Sequence, residues 1–295
     1  MYTDFYGQKW YRGNLHTHTV LSDGRVSFEE AVSRYRHMGY DFLSITDHWV
    51  QSETAAMDNF LLISGCEYNI SYSEPCGNME RKVVNHINGI GFTSIPKLEK
   101  DPDLRGQAII DAIRAADGIA IYNHPEWSRN LVSDIGDLHG LDGIEIFNTA
   151  CGFLKEYHYD YSGFHADQLA LAGQCIPVFA CDDTHYYTGE EGKSFIMVNS
   201  DDLSRDSIID AIRNGRFFAS QGPWLQTEIR GRTLKITCTP VTDIRVFTNH
   251  IGGYSLRRNI SVTGAEFELK EYDYYYRVEV TDKNGNRAWT SPVNI

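Results

Sequence analysis

Short apolar runs closed by a polar residue recur along the first two-thirds of the chain. They are W-Y-R-G-N-L-H ending at His16, D-F-L-S-I-T-D-H at His48, F-L-L-I-S-G-C-E at Glu67, V-V-N-H at His86, G-I-A-I-Y-N-H at His124, G-I-E-I-F-N at Asn148 and I-P-V-F-A-C-D-D-T-H at His185. Runs of this length predict buried strands. Helical spacing fills several of the gaps. Residues 27–38 open with a capping box, Ser27 with Glu30, and stop at Gly39. Residues 106–116 place Ile109, Ile110 and Ile113 on one face, 165–172 repeat the pattern more weakly, and 204–214 carry Ile208, Ile209 and Ile212 before Gly215. Strand and helix signals in alternation predict an α/β fold with a parallel sheet. Seven strand candidates favour a barrel of β/α units over an open sheet.

The text changes after Gly222-Pro223. Helical spacing disappears, and alternating runs take over: T-L-K-I-T-C-T, D-I-R-V-F-T, A-E-F-E-L-K and Y-Y-R-V-E-V-T, with a turn at D-K-N-G-N-R. The chain is expected to divide into residues 1–222 and a small all-β, sandwich-like domain over 223–295. Residues 49–59, 69–82, 93–105 and 148–162 are left as long loops, which in a compact domain usually shape a binding site.

Composition narrows the function. The 295 residues can bury a sizeable core, and 27 basic against 40 acidic residues leave a net charge of -13. That balance argues against a nucleic-acid or anionic-membrane surface and leaves room for bound cations. The six cysteines form no C-x-x-C pair and read as reduced core residues. No basic start followed by an apolar stretch opens the chain, and no apolar run has the length of a membrane helix. A cytoplasmic protein is expected.

The chemistry lies where the apolar runs end. A His-x-His pair such as His16 and His18 is weak evidence alone, since roughly 0.4 such pairs are expected by chance in a chain of this composition. Six of the seven runs, however, lead into candidate ligands: His16, His18, Asp23, His48, Glu67, His86, His124, Asp183 and His185. In a β/α barrel those ends share one face. Six imidazoles and three carboxylates exceed the needs of one ion, and two or three divalent cations, Mn, Fe or Zn, would satisfy them. His37, His139, His158, His165 and His250 follow no such run and read as surface or core residues.

In this order, N-L-H-T-H-T-V-L-S-D-G at 14–24, I-T-D-H at 45–48, Glu67, His86, N-H-P at 123–125 and D-D-T-H at 182–185 resemble the PHP (polymerase and histidinol phosphatase) family of metal-dependent phosphoesterases. The resemblance runs from about residue 10 to 222 and implies a distorted, TIM-like (β/α)7 barrel around a metal centre. The segment from G-K-S-F-I-M-V-N-S to the β module is similar to the branch that includes carbamate-ester hydrolases of the CehA type. Carried over, the resemblance implies one ion held by His16, His18, Glu67 and Asp183. Glu67 would bridge to a second, held by His86 and His124, and a third would lie among Asp23, His48 and His185. Glu145, alternating with Ile144 and Ile146, is a candidate ligand or ligand-supporting residue, and Asp47 and Asp182 are read as orienters of imidazoles.

The expected reaction is hydrolysis of a small phosphate ester by hydroxide bridging the ions, with Glu67 as bridge and His48 or His185 protonating the leaving oxygen. No protein nucleophile is needed, and there is no G-x-S-x-G elbow or P-loop to supply one. Arg25, Arg129 and Lys193 are the cations nearest the motifs and candidates for phosphate recognition. One alternative is a carboxylic or carbamate ester hydrolase on the same ions, which an apolar pocket would favour; another is a non-catalytic metal- or ligand-binding module.

Overall fold

The computed structural model describes residues 1–4, 7–153 and 159–295. His158 therefore lies outside the described residues. In chain order the elements are β1 (Tyr2–Thr3), β2 (Lys9–Asn14), α1 (Phe28–His37), β3 (Phe42–Ser44), β4 (Ala55–Met57), β5 (Phe60–Ile63), β6 (Gly65–Cys76), β7 (Met79–Ile90), α2 (Gly106–Ala115) and β8 (Ile119–Tyr122). Then follow α3 (Val132–Gly136), β9 (Gly143–Asn148), α4 (Thr149–Phe153), α5 (Gly163–Leu171), β10 (Val178–Cys181), β11 (Phe195–Asn199), α6 (Arg205–Arg213) and β12 (Phe217–Ser220). From β13 (Leu225–Arg230) the chain forms only strands: β14 (Thr233–Thr248), β15 (Tyr254–Glu268), β16 (Tyr275–Thr281), β17 (Arg287–Trp289) and β18 (Val293–Asn294).

The closed barrel of seven β/α units does not form. Strands make up 41% of the described residues, arranged in two mixed sheets, and helices 17%. The larger runs β13-β14-β16-β17-β12-β11-β2-β3-β5-β4, and the smaller runs β10-β9-β8-β7-β6. The connections explain why. A parallel pair needs a crossover of a dozen residues or more, and β2–β3, β3–β5, β8–β9 and β9–β10 are parallel. Only Ser64 separates β5 from β6, however, and β6 turns directly into β7 as a long antiparallel hairpin, paired from Gly65↔Ile90 to Cys76↔Met79. That hairpin occupies much of the expected 69–82 loop and breaks the β/α repeat.

The C-terminal strands do not form a separate sandwich either. β17 pairs with β12 through Ala219↔Trp289 and Ser220↔Ala288, so the larger sheet continues into the C-terminal part. Packing follows the same continuity. Trp10, Tyr35 and Phe218 share one apolar cluster with Leu225, Leu234, Val278 and Val280, while a second cluster gathers Ile109, Ile110 and Ile113 of α2 with Ile121, Ile144, Phe179 and Trp289. The helices form where their caps and apolar faces dictate. Ser27 accepts from the Glu30 amide at the start of α1, whose Ala31, Val32 and Tyr35 are buried, and Glu30 pairs with Arg34 one turn later.

Isolated bridges tie the two sheets together, Thr17 with Thr184 and His48 with Glu67, at the two edges of the smaller sheet. The segments following β2, β3, β8 and β10 therefore meet the body of β6 and β7. No helix among the described residues is long and apolar enough to cross a membrane.

One ionic contact clamps the C-terminal strands to α5. The fully buried Arg277 of β16 makes two 2.8 Å bonds to the Asp167 carboxylate and lies 4.1 Å from the Phe247 ring. Asp167 is only partly buried, but without it the buried Arg277 charge keeps only Glu279, at 3.8 Å, and stranding a buried charge typically costs about 3–5 kcal/mol. Asp167→Ala is accordingly expected to lower unfolding stability by about that amount in denaturant titrations. A change below about 0.5 kcal/mol, the usual scale of neutral surface substitutions, would show that the pair does not clamp the two parts.

Candidate metal centre

The apolar core of each short strand fixes where its following residue emerges. His16 and His18 follow β2, His48 follows β3, His124 follows β8, and Asp183 and His185 follow β10. Glu67 and His86 differ, because they project from within the hairpin, two residues out of direct register (Glu67↔Asn88, Asn69↔His86). All nine candidate ligands meet at one site. Asp23 reaches it on a tight turn in which the Gly24 amide donates to the Thr19 carbonyl. A Cβ on Gly24 would stand 2.5 Å from the His18 carbonyl oxygen, so the turn requires glycine.

Two carboxylates sit at the centre. Glu67 Oε2 lies 3.3 Å from His16 Nε2, 3.2 Å from His18 Nε2 and 3.1 Å from His48 Nδ1, while Glu67 Oε1 lies 2.9 Å from His86 Nδ1 and 3.6 Å from His124 Nε2. Asp183 Oδ1 lies 3.0 Å from His16 Nε2 and 3.1 Å from His18 Nε2. On the outer side Asp23 is 3.5 Å from His185 Nε2 and 3.6 Å from His48 Nε2. Four overlapping donor groups result: His16, His18 and Glu67; Glu67, His86 and His124; His16, His124 and Asp183; and His18, Asp23, His48 and His185. Within each, the donor atoms lie within 4.8 Å of one another.

The donor set fits divalent cations. His16 Nε2, His18 Nε2, His48 Nδ1 and Asp183 Oδ1 are buried yet lack a hydrogen-bond partner, although they approach one another or a carboxylate to 3.0–3.3 Å. Buried polar atoms seldom go unpaired. Atoms that come this close without hydrogen-bond geometry point into shared space, as ligands of a common ion do. The backbone adds to this picture. His124 and Asp183 hold φ of 27° and 54°, a region that non-glycine residues rarely adopt and that tends to cluster at functional sites.

Electrostatics favours ionised carboxylates. Burial opposes charge on Glu67, but the neighbouring charges of His16 and His86 hold its pKa well below the usual range; Asp183 is lowered in the same way, chiefly by His16 and His185. Burial likewise disfavours the charged form of His18, yet Asp183 and Glu67 raise its pKa to about 9, and Asp183, Glu67 and Glu145 raise that of His16. His86 shifts the other way, with burial dominant.

Around the ligands, Glu145 accepts from His16 Nδ1 at 2.7 Å and from the His124 amide at 2.9 Å, which leaves His16 Nε2 facing the cluster. Asp47 and Asp182 take partners other than imidazoles. Asp47 accepts from Thr19 and Ser22, holding the turn that carries Asp23. Asp182, pushed up to about 6 by burial against the opposing bonds, accepts from Tyr35 and the amides of Gly192, Lys193 and Ser194. Three supporting residues carried no pattern in the sequence. Asn123 donates to Glu67, Asn148 donates to both Glu145 and Asp183, and Glu190 accepts from the His185 and Tyr186 amides. The one hint was that the run ending at Asn148 closed without a ligand.

The site opens into a cavity of about 320 Å³ lined by Asp23, His48, Glu67, His86, His124, Asp183, His185 and Glu190, with Trp127, Ala150, Cys151, Phe153 and Tyr186 on its other walls. Arg25, Arg129 and Lys193 do not line it. Arg25 lies 5.8 Å from the Tyr186 ring, Arg129 lies 5.0 Å from the Tyr159 ring, and Lys193 is exposed. Of the other described histidines, His165 bonds the Asn130 carbonyl, His250 bonds Asp273, and His37 bonds Ser33; none joins a donor group.

No family model and no curated protein matches the sequence. Solved structures do. A protein of Bacteroides vulgatus ATCC 8482, described as a two-domain protein containing a predicted PHP-like metal-dependent phosphoesterase, aligns over 98% of this chain and 97% of its own, at 16% identity and a TM-score of 0.54. An amidohydrolase of Chromobacterium violaceum, solved with bound sulfate and no metal, aligns over 70% of this chain and 96% of its own, at 14% identity and a TM-score of 0.43. The chain thus shares the fold of the Bacteroides protein over nearly its whole length.

Two outcomes follow from the site's geometry. His18, its pKa raised to about 9, is protonated at neutral pH in the metal-free protein, and a protonated imidazole must lose its proton to bind an ion. Adding Zn²⁺ or Mn²⁺ at pH 7 is expected to release protons, and apparent affinity should climb from pH 6 and level off near the His18 pKa of about 9. Affinity independent of pH in calorimetric titrations would contradict this arrangement. Glu145→Gln, which weakens the support of His16, should cost about 10- to 100-fold in metal affinity. Unchanged affinity would remove Glu145 from the site.

Proposed function

We propose that the protein is a metal-dependent hydrolase of the PHP type that cleaves a small phosphate ester. The observation that carries this reading is the set of buried, unpaired imidazole nitrogens and carboxylate oxygens facing shared space beneath an open cavity. His16, His18, Glu67 and Asp183 would hold one ion, Glu67 with His86 and His124 a second, and Asp23, His48 and His185 an outer one. Such ions lower the pKa of a water and offset negative charge on the ester oxygens.

The remaining work falls to the side chains. Glu145 fixes the ring of His16, and Ser128, 3.1 Å from His124 Nδ1, fixes that of His124. Asn123 and Asn148 hold the central carboxylates in place. His48 and His185 stand at the rim, about one-fifth exposed, and where the outer position is not taken by an ion the Nε2 of either can protonate the leaving oxygen. Six free cysteines support a reducing, cytoplasmic setting.

One observation favours a second reading. Among the described residues, no Lys or Arg lines the cavity, which suits a neutral carboxylic or carbamate ester better than a phosphate dianion. The Mn²⁺- or Zn²⁺-loaded protein should be assayed against phosphomonoesters, phosphodiesters and carboxyl esters, beside the His16→Ala/His18→Ala variant. Hydrolysis of phosphate esters that disappears in the variant is the expected result. Turnover of carboxyl esters alone would establish the second reading, and hydrolysis unchanged in the variant would refute both.

A further inference from the structure

A charged metal-binding site has no need of large apolar side chains held open to solvent, yet three aromatics stand around its mouth. Trp127 is 44% exposed, Tyr186 45% and Phe153 40%. Scattered exposed apolar residues are ordinary, whereas a group gathered on one concave surface marks a binding face. Each of the three lines the cavity, with Ala150 and Cys151 between them.

Trp127 is positioned with respect to the ligands. It lies on the turn directly after His124, closed by bonds from the Ser128 amide to the His124 carbonyl at 3.0 Å and from the Asn130 amide to the Pro125 carbonyl at 3.1 Å. Its ring stands nearly edge-on to His124, 5.0 Å between centroids, and 6.0 Å from His86. The turn that sets His124 therefore sets the indole beside it. Phe153 ends α4, whose start is tied to the centre by the Ala150 amide bonding the Asp182 carbonyl and the Cys151 amide bonding Asn148. Tyr186 follows His185, its amide held by Glu190. All three rings thus stand on backbone tied to the segments that carry the candidate ligands.

We infer that the ester cleaved here carries a flat apolar group, of aryl or benzyl type, which packs on Trp127 between the walls formed by Phe153 and Tyr186. This rests on the hydrolase reading and adds the substrate's second half. The cavity's volume of about 320 Å³ falls at the small end of ligand sites, room for one ring beside the reacting group.

Benzyl phosphate and methyl phosphate test this, because both release a simple alkoxide and differ mainly in the ring. With the Mn²⁺-loaded protein, kcat/KM is expected to favour benzyl phosphate by about 10- to 100-fold, the scale of burying one phenyl group. Trp127→Ala should shrink that ratio to a few-fold and Trp127→Phe should keep most of it. The ratio is taken within each variant, so a loss common to both substrates cancels, and Phe153→Ala gives a second reading should Trp127→Ala fold poorly. A wild-type ratio near one, or a ratio untouched by both alanine variants, overturns the inference. If neither ester is hydrolysed, the phosphate-ester reading falls, and the non-hydrolysable benzylphosphonate and methylphosphonate decide the inference separately. At least tenfold tighter binding of the benzyl compound sustains it, and equal binding overturns it.

Discussion

Everything in this molecule is arranged around two carboxylates, Glu67 and Asp183, buried together amid six imidazoles. An isolated buried carboxylate is strongly disfavoured, and two side by side more so. Here both are held in the ionised form, their pKa values lowered by the surrounding histidines. The histidines cannot complete the compensation through hydrogen bonds, because His16 Nε2, His18 Nε2 and His48 Nδ1 approach the carboxylates without bonding geometry. A bound cation would supply what the protein leaves unmade: positive charge for the carboxylates and a Lewis-acid partner for the nitrogens.

The fold serves that requirement without closing into a barrel. Parallel strands β2, β3, β8 and β10 deliver ligands from their ends, as in β/α folds generally, but the long hairpin of β6 and β7 lays Glu67 and His86 across the gap between the two sheets. Strand pairing thus fixes Glu67 on a rigid element, where its position cannot drift with a loop. The hairpin therefore replaces closure as the device that brings distant ligands together.

How much of this was legible in the sequence depends on the residue. His16, His18, His124, Asp183 and His185 follow four-to-six-residue strands whose apolar side chains announce themselves, so both element and candidate ligand could be read. Glu67 and His86 were legible as candidate ligands while their hairpin was not: beyond a short alternation of Ile70 and Tyr72 with Ser71 and Ser73, the stretch from Asn69 to Lys82 is polar and largely exposed, and its strand character comes from cross-strand partners. The sandwich expected after residue 222 failed for a related reason, because alternation predicts strands and says nothing of which sheet they join. Glu145 was flagged only by its place between Ile144 and Ile146. Trp127 gave no signal, and Asn123 and Asn148 were visible only as neighbours of the apolar runs, since amides and turn aromatics acquire meaning only from what folding sets beside them.

The central claim is that the unpaired nitrogens and oxygens are metal ligands. Anomalous diffraction at the zinc absorption edge, from crystals of the Zn²⁺-loaded protein, tests it most directly. The account predicts at least two peaks, one about 2.0–2.2 Å from His16 Nε2, His18 Nε2 and the carboxylates of Glu67 and Asp183, and one beside His86 and His124. A map with no peak there, and with those nitrogens hydrogen-bonded to the carboxylates instead, would contradict it.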